Sequence, residues 1–169
     1  MIEEIAKQSA QVAVPIIAIG IIIAVAIQSN LALKFSSQLI ELSGGTLLGS
    51  MLLIIVGCII MGMGLPTVAA YIIGAILFVP ALTKLGIEPL AAHFFVMYYC
   101  VLSMITPPVA LASYAAAGLA KADAMKTGWY AFKLSFVLFL IPFAFAFDPA
   151  LLWQGPPGWI ALAFLSMMA

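Results

Sequence analysis

The sequence predicts an all-α integral membrane protein in which transmembrane helices are combined with a re-entrant helical hairpin and a discontinuous helix. Of the 169 residues, 66% are hydrophobic and only 7% are charged, whereas soluble domains are about a quarter charged. Two runs rich in glycine and proline, residues 62–67 and 106–108, interrupt long apolar stretches. Non-helical backbone survives at bilayer depth only where it is buried in protein or lines a cavity. The two interruptions therefore predict a site for a solute or an ion.

Composition also restricts the kinds of function. The net charge is zero and arginine is absent, which argues against nucleic-acid binding. The long apolar stretches hold no carboxylate, and His93 has no evident titratable partner at its depth, so neither a proton relay nor an enzyme is predicted. Cys58 and Cys100 are expected to be buried free thiols, because their spacing fits no metal or redox motif. No cofactor is predicted.

The first elements are a crossing and an interfacial helix. Residues 10–29 form an uncharged run of 20 residues, which is enough for one transmembrane helix. Residues 31–42 mix charged and polar side chains with Leu and Phe, a pattern typical of an amphipathic helix lying at the membrane interface. Gly44 and Gly45 follow and predict the end of that helix.

Residues 46–83 are predicted to form the re-entrant hairpin. No residue between Glu41 and Lys84 is charged. Residues 46–61 and 68–83 form two limbs of 16 residues each, and such limbs are about 24 Å long. Because the hydrocarbon core is about 30 Å thick, limbs this short favour a hairpin whose tip stops inside the membrane. A pair of full crossings is the alternative.

The remaining apolar stretches predict two more crossings. Residues 90–120 form one crossing that is broken at residues 106–108, and residues 128–147 form another. Residues 156–169 are predicted to start a further crossing that is cut short, so we expect a fragment of a larger transporter or the product of a split gene. The lysines divide four against two: Lys34 and Lys84 fall on one side, and the side that the positive-inside rule assigns to the cytoplasm holds Lys7, Lys121, Lys126 and Lys133.

The first break can end one helix and begin another. Gly62 and Gly64 can adopt the left-handed backbone angles that stop a helix, and Pro66 suits the first turn of the next helix. Met63 lies between the glycines, and Thr67 adds a hydroxyl. The ending helix offers carbonyl oxygens that suit Na⁺, and the starting helix offers N–H groups that suit a carboxylate. These five residues are candidate ion- and substrate-binding residues.

The second break predicts a cage of oxygen atoms. Pro107 and Pro108 cannot donate hydrogen bonds to the carbonyls that precede them, so those carbonyls and the Thr106 hydroxyl are free for a monovalent cation. The alternative is a simple proline kink, in which neighbouring helices satisfy the freed backbone groups. The candidate binding residues of this break are Ser103, Ile105, Thr106, Pro107 and Pro108. Across both breaks, Na⁺ is expected to bind through Gly62, Gly64, Thr67, Ser103 and Thr106.

Four motifs occur in order along the chain: GMGLPT at 62–67, LAAH at 90–93, ITPPVA at 105–110 and DAMKTG at 123–128. Together they resemble the large membrane subunit of tripartite ATP-independent periplasmic (TRAP) transporters, and they look closest to the fused permeases paired with TAXI-type binding proteins. The resemblance implies that residues 1–155 are the second of two inverted repeats, in which the hairpin tip and the Thr-Pro-Pro break are ion-site elements.

The same resemblance implies a function. The chain is expected to be part of a multi-pass permease in the inner membrane that couples Na⁺ to the import of organic acids delivered by a periplasmic binding protein. The N-terminal repeat and an equivalent of the small subunit are the other expected partners. A non-transporting membrane anchor or assembly subunit is the alternative, and it would require both breaks to be kinks only.

Overall fold

In the computed structural model, the described residues are 13, 17, 20, 21, 24, 25, 28–63, 65–154, 156 and 158–160. Over this part of the chain the fold is helical, without strands, and the predicted all-α class is confirmed there. The predicted crossing at residues 10–29 and the predicted start of another at residues 156–169 lie mostly outside the described residues. Re-entrance of the hairpin and the crossing by the broken helix remain predictions.

Helix α1, Leu31–Leu42, has the bounds that the amphipathic pattern predicts. Ser36 and Leu39 are buried, whereas the charged side chains of Lys34 and Glu41 are exposed. The helix ends because Gly45 takes a positive φ of 72° and its N–H donates back to the Ile40 carbonyl at 2.9 Å, which satisfies a helix-end carbonyl. Whether α1 lies at a membrane interface stays a prediction.

The two limbs of the predicted hairpin are helices α2, Leu47–Gly62, and α3, Thr67–Lys84. Their bounds differ by one residue at each end from those expected from the sequence. Thr46 caps α2 by accepting a hydrogen bond from the Gly49 N–H at 3.3 Å. Among the described helices only α3 is, by itself, long and apolar enough to cross a membrane.

Helix α4, Pro89–Leu102, runs into a 3₁₀ turn, Ser103–Ile105, and helix α5, Leu111–Ala120, follows after five non-helical residues. Pro89 starts α4, and the Glu88 carboxylate accepts a hydrogen bond from the Ala91 N–H at 3.1 Å. This combination of an acidic cap and a proline at the first position fixes the start of a helix.

The last predicted crossing, residues 128–147, is divided. Helix α6, Ala124–Leu134, a 3₁₀ turn, Phe136–Phe139, and helix α7, Ile141–Phe147, follow one another with a bend of 57°. Pro142 in the first turn of α7 has no N–H to continue the preceding helix. Counted as one bent span, this pair would be a second segment able to cross a membrane.

The core lies between α2, α3 and α4. On α2, Met51, Ile54 and Cys58 are fully buried, whereas Leu52 and Val56 are exposed, so one face packs and the other is apolar and open. Lipid tails are as apolar as such a core, so van der Waals packing drives helix association in membranes. Glycines permit this packing: a Cβ at position 57 would lie 2.5 Å from the Phe78 ring, and one at position 74 would lie 3.0 Å from the Val96 side chain.

Candidate ion and substrate site

The two breaks meet at Gly62 and Ser103. A Cβ at position 62 would overlap the Ser103 hydroxyl oxygen, lie 2.5 Å from the Ser103 Cβ and lie 3.3 Å from the Cys100 carbonyl. Only a glycine lets the end of α2 approach the 3₁₀ turn this closely. Both residues are buried. The structure therefore brings one predicted residue of each break into contact.

The hydroxyls of the second break donate their protons to nearby carbonyls. The Ser103 hydroxyl donates to the Cys100 carbonyl and the Thr106 hydroxyl donates to the Leu102 carbonyl, each at 2.7 Å. Ser103 is 1% exposed and Thr106 is 7% exposed. Because each proton is directed at the preceding turn, the oxygen lone pairs point away from those carbonyls and remain available to a cation.

Three oxygens in or beside this break have no hydrogen-bond partner among the described residues, and one of them is buried. Pro107 and Pro108 have no N–H, and no described group donates to the Met104 or Ile105 carbonyls. The Ser113 hydroxyl, in the first turn of α5, is buried and also without a partner. Buried polar atoms are normally paired, so a group of unpaired oxygens beside one break is suited to binding a hard cation.

One wall of the second break is formed by α6. A Cβ at Gly128 would lie 3.1 Å from the Tyr114 ring, 3.6 Å from the Ala110 Cβ and 3.7 Å from the Pro107 ring. The Tyr114 hydroxyl donates to the Pro108 carbonyl. The backbone of the break is therefore held on one side by α6 and by the tyrosine of α5.

The first break presents the start of a helix. Pro66 is the N-cap of α3, and its carbonyl accepts the Ala70 N–H at 3.0 Å. No described residue accepts a hydrogen bond from the N–H groups of Thr67 or Val68, and Pro66 and Val68 are exposed. These N–H groups and the helix dipole favour an anion.

The predicted site residues are thus only partly brought together. Gly62 and Ser103 touch, and Ile105 and Thr106 follow directly on the same turn. No hydrogen bond between described residues joins Pro66 or Thr67 to the second break. Met63 ends α2, with its N–H donating to the Ile59 carbonyl at 3.1 Å. Gly64 lies outside the described residues.

Sequence reasoning missed two side-chain pairs near the site. The Tyr71 hydroxyl and the His93 Nδ1 lie 3.0 Å apart, so the expectation that His93 has no titratable partner is wrong. The Cys58 and Cys100 thiols interact with one another in the core, and both cysteines are buried and free, as expected. Each pair joins two helices, and spacing along the chain gives no signal of such a contact.

These features describe an apolar helical protein in which two helix breaks touch and leave backbone oxygens unpaired. Over residues 1–151, the sequence matches the family described as "Tripartite ATP-independent periplasmic transporter, DctM component". The chain belongs to this family, so the predicted relationship to the TRAP transporter large membrane subunit is confirmed. No curated protein and no solved structure gives a significant match to the chain.

Membership of this family has general consequences. The chain is a transport component of the inner membrane rather than an enzyme, and the family works with partners such as a periplasmic binding protein and a small membrane subunit. The closer likeness to fused, TAXI-type permeases remains a prediction, as do the coupling ion and the substrate.

Proposed function

We propose that the chain is part of the permease of a Na⁺-coupled secondary transporter that imports organic acids delivered by a periplasmic binding protein. The observation that carries this proposal is the contact between Gly62 and Ser103, which is followed in the chain by the unpaired carbonyls of Met104 and Ile105. Because the two breaks touch, a single bound ion can order the backbone of both.

The ion is assigned from the chemistry of the donors. The candidate ligands are backbone carbonyls and hydroxyls, which are hard and uncharged, and such donors suit a weakly charged hard cation. Thr106 and Ser103 supply hydroxyls whose protons are already donated elsewhere. Gly62 supplies a carbonyl that accepts no hydrogen bond from the described residues, and Gly64 and Thr67 complete the proposed set.

The anion is assigned from the start of α3. The N–H groups of Thr67 and Val68 and the positive end of the helix dipole favour a carboxylate. A bound Na⁺ would order the backbone before α3 and so raise the affinity for the anion. Such coupling is about 1–3 kcal/mol in typical cases, which corresponds to an affinity change of about fivefold to 150-fold.

The test is the Na⁺ response of the complete transporter, measured as thermal stabilisation in detergent and as uptake into liposomes with the binding protein present. Thr106→Ala removes a proposed ligand. Thr83→Ala is the matched control, because the Thr83 hydroxyl also donates to the carbonyl four residues earlier, that of Val79, at 3.1 Å. We expect Thr106→Ala to require about tenfold more Na⁺, or ~1.4 kcal/mol, and Thr83→Ala to behave as wild type.

Potassium in place of sodium is the control for ionic strength. If K⁺ stabilises the wild type as well as Na⁺ does, sodium coupling is wrong. If Thr106→Ala keeps both the Na⁺ response and Na⁺-driven uptake, the Thr106 hydroxyl is not a ligand, and the alternative of an anchor or assembly subunit gains support.

A further inference from the structure

One face of α6 carries two cations and two large aromatic side chains around a single groove. The groove has a volume of about 310 Å³ and is lined by Met125, Lys126, Trp129, Tyr130 and Lys133. Positions 126, 129, 130 and 133 follow the spacing i, i+3, i+4, i+7, which places them on one side of a helix. The opposite side of α6 carries Gly128, which packs against the second break.

The two lysines are free to bind an external anion. Both are exposed, and no described carboxylate forms an ion pair with either. The closest acid along the chain, Asp123, already accepts a hydrogen bond from the Lys126 N–H at 2.8 Å. Lys126 lies in the first turn of α6, where the positive end of the helix dipole adds to its charge, and Lys133 lies in the last turn.

The aromatic residues indicate what kind of anion fits. Trp129 is 51% exposed and Tyr130 is 67% exposed, and rings of this kind concentrate at the level of lipid headgroups. A small soluble anion would need only the lysines, whereas a phospholipid offers a phosphate for the ammonium groups and a glycerol and acyl region for the rings. Basic grooves on the cytoplasmic side of membrane proteins bind anionic headgroups, and the lysine distribution predicts that this end of α6 is cytoplasmic.

We propose that this groove binds the headgroup of an anionic phospholipid from the inner leaflet. Lys126 and Lys133 hold the phosphate, and Trp129 and Tyr130 cover the glycerol region. The proposal does not depend on Na⁺ coupling, because none of these residues belongs to the candidate ion site.

The experiment measures binding of phosphatidylglycerol to the complete transporter in detergent by native mass spectrometry. Each lysine near an anionic headgroup contributes roughly a fivefold gain in affinity, so Lys126→Gln with Lys133→Gln is expected to weaken binding roughly 30-fold. The double arginine variant, K126R with K133R, keeps the charge and is expected to retain binding. Lys121→Gln is the matched control, since Lys121 is exposed nearby but does not line the groove.

Three results would overturn the proposal. Equal binding of phosphatidylcholine and phosphatidylglycerol to the wild type would show that the charge is not recognised. An equal loss in Lys121→Gln would show a diffuse charge effect rather than a site. Displacement of phosphatidylglycerol by glycerol phosphate, which has no acyl chains, would show a site for free anions. Thermal unfolding in phosphatidylcholine, unchanged between the variants, confirms that each one is folded.

Discussion

Gly62 ends α2 in direct contact with Ser103, the first residue of the 3₁₀ turn that precedes the second break. Gly62→Ala would place a methyl group on the Ser103 hydroxyl, and overpacking of this kind costs about 1–3 kcal/mol. We expect a lower melting temperature and a weaker Na⁺ response in the complete transporter. Gly118→Ala is the control, because a Cβ at that helical position meets nothing within 4 Å. Equal melting temperatures of the two variants would contradict the close contact.

The unpaired hydroxyl of Ser113 gives a second prediction. Ser36 has the same properties, since both side chains are buried and both hydroxyls lack a partner among the described residues, but it lies on α1 and not at a break. Removing an unpaired buried hydroxyl is neutral or stabilising, so Ser36→Ala and Ser113→Ala are both expected to keep or raise the melting temperature without Na⁺. Only Ser113→Ala is expected to lose part of the stabilisation by Na⁺. A loss in both variants, or in neither, would argue against Ser113 as a ligand.

The Cys58 and Cys100 thiols lie on different helices and interact with one another within the buried core. We expect the membrane-permeant oxidant diamide to join them, with two electrons and two protons passing from the thiols to the diazene. The product is read by mass spectrometry of peptides before and after reduction. Because the link would fix α2 against α4, we expect uptake to fall and to recover with a reductant. Cys58→Ala should abolish both effects, and persistence of either in that variant would contradict the contact.

The hydrogen bond between Tyr71 and His93 joins α3 and α4. Tyr71→Phe removes it and is expected to cost about 1 kcal/mol in unfolding free energy. Tyr98→Phe is the control, because Tyr98 is also half-buried and its hydroxyl has no hydrogen bond to another described residue. A thermodynamic cycle of Tyr71→Phe with His93→Gln measures the pair itself, and additive effects in that cycle would show that the two side chains do not interact.

The sequence predicts the helix ends well, because a helix end depends on residues that lie next to it in the chain. Glycine, proline and the length of apolar runs place the ends of α2 and α3 within one residue of those in the structure. The bend after α6 is missed, because residues 128–147 are apolar apart from Lys133 and Ser135 and read as one run. The separate start of α7 depends on Pro142 and on packing against α4, and neither effect appears in a count of hydrophobic residues.

The candidate site likewise has features that the sequence predicts and features that only the structure shows. The identity of both breaks follows from residue types, whose backbone preferences are intrinsic. The contact of Gly62 with Ser103 joins positions 41 residues apart (103 minus 62), and only the packing of α2 against the end of α4 determines it. The unpaired state of Ser113 likewise depends on which neighbours surround it, because serine within a helix commonly donates to its own backbone.

The segment after the bend that follows α6 contacts α4, a helix that is distant in the sequence. The Tyr99 hydroxyl donates to the Phe139 carbonyl at 2.6 Å, so a buried side chain of α4 satisfies the backbone of the 3₁₀ turn that follows the bend. The Phe143 ring packs edge-to-face against the Phe95 ring, which adds a second contact between α7 and α4. The 3₁₀ turn and α7 are therefore held against α4 by a hydrogen bond and a ring contact, whereas the chain that follows α4 continues through the non-helical residues 106–110.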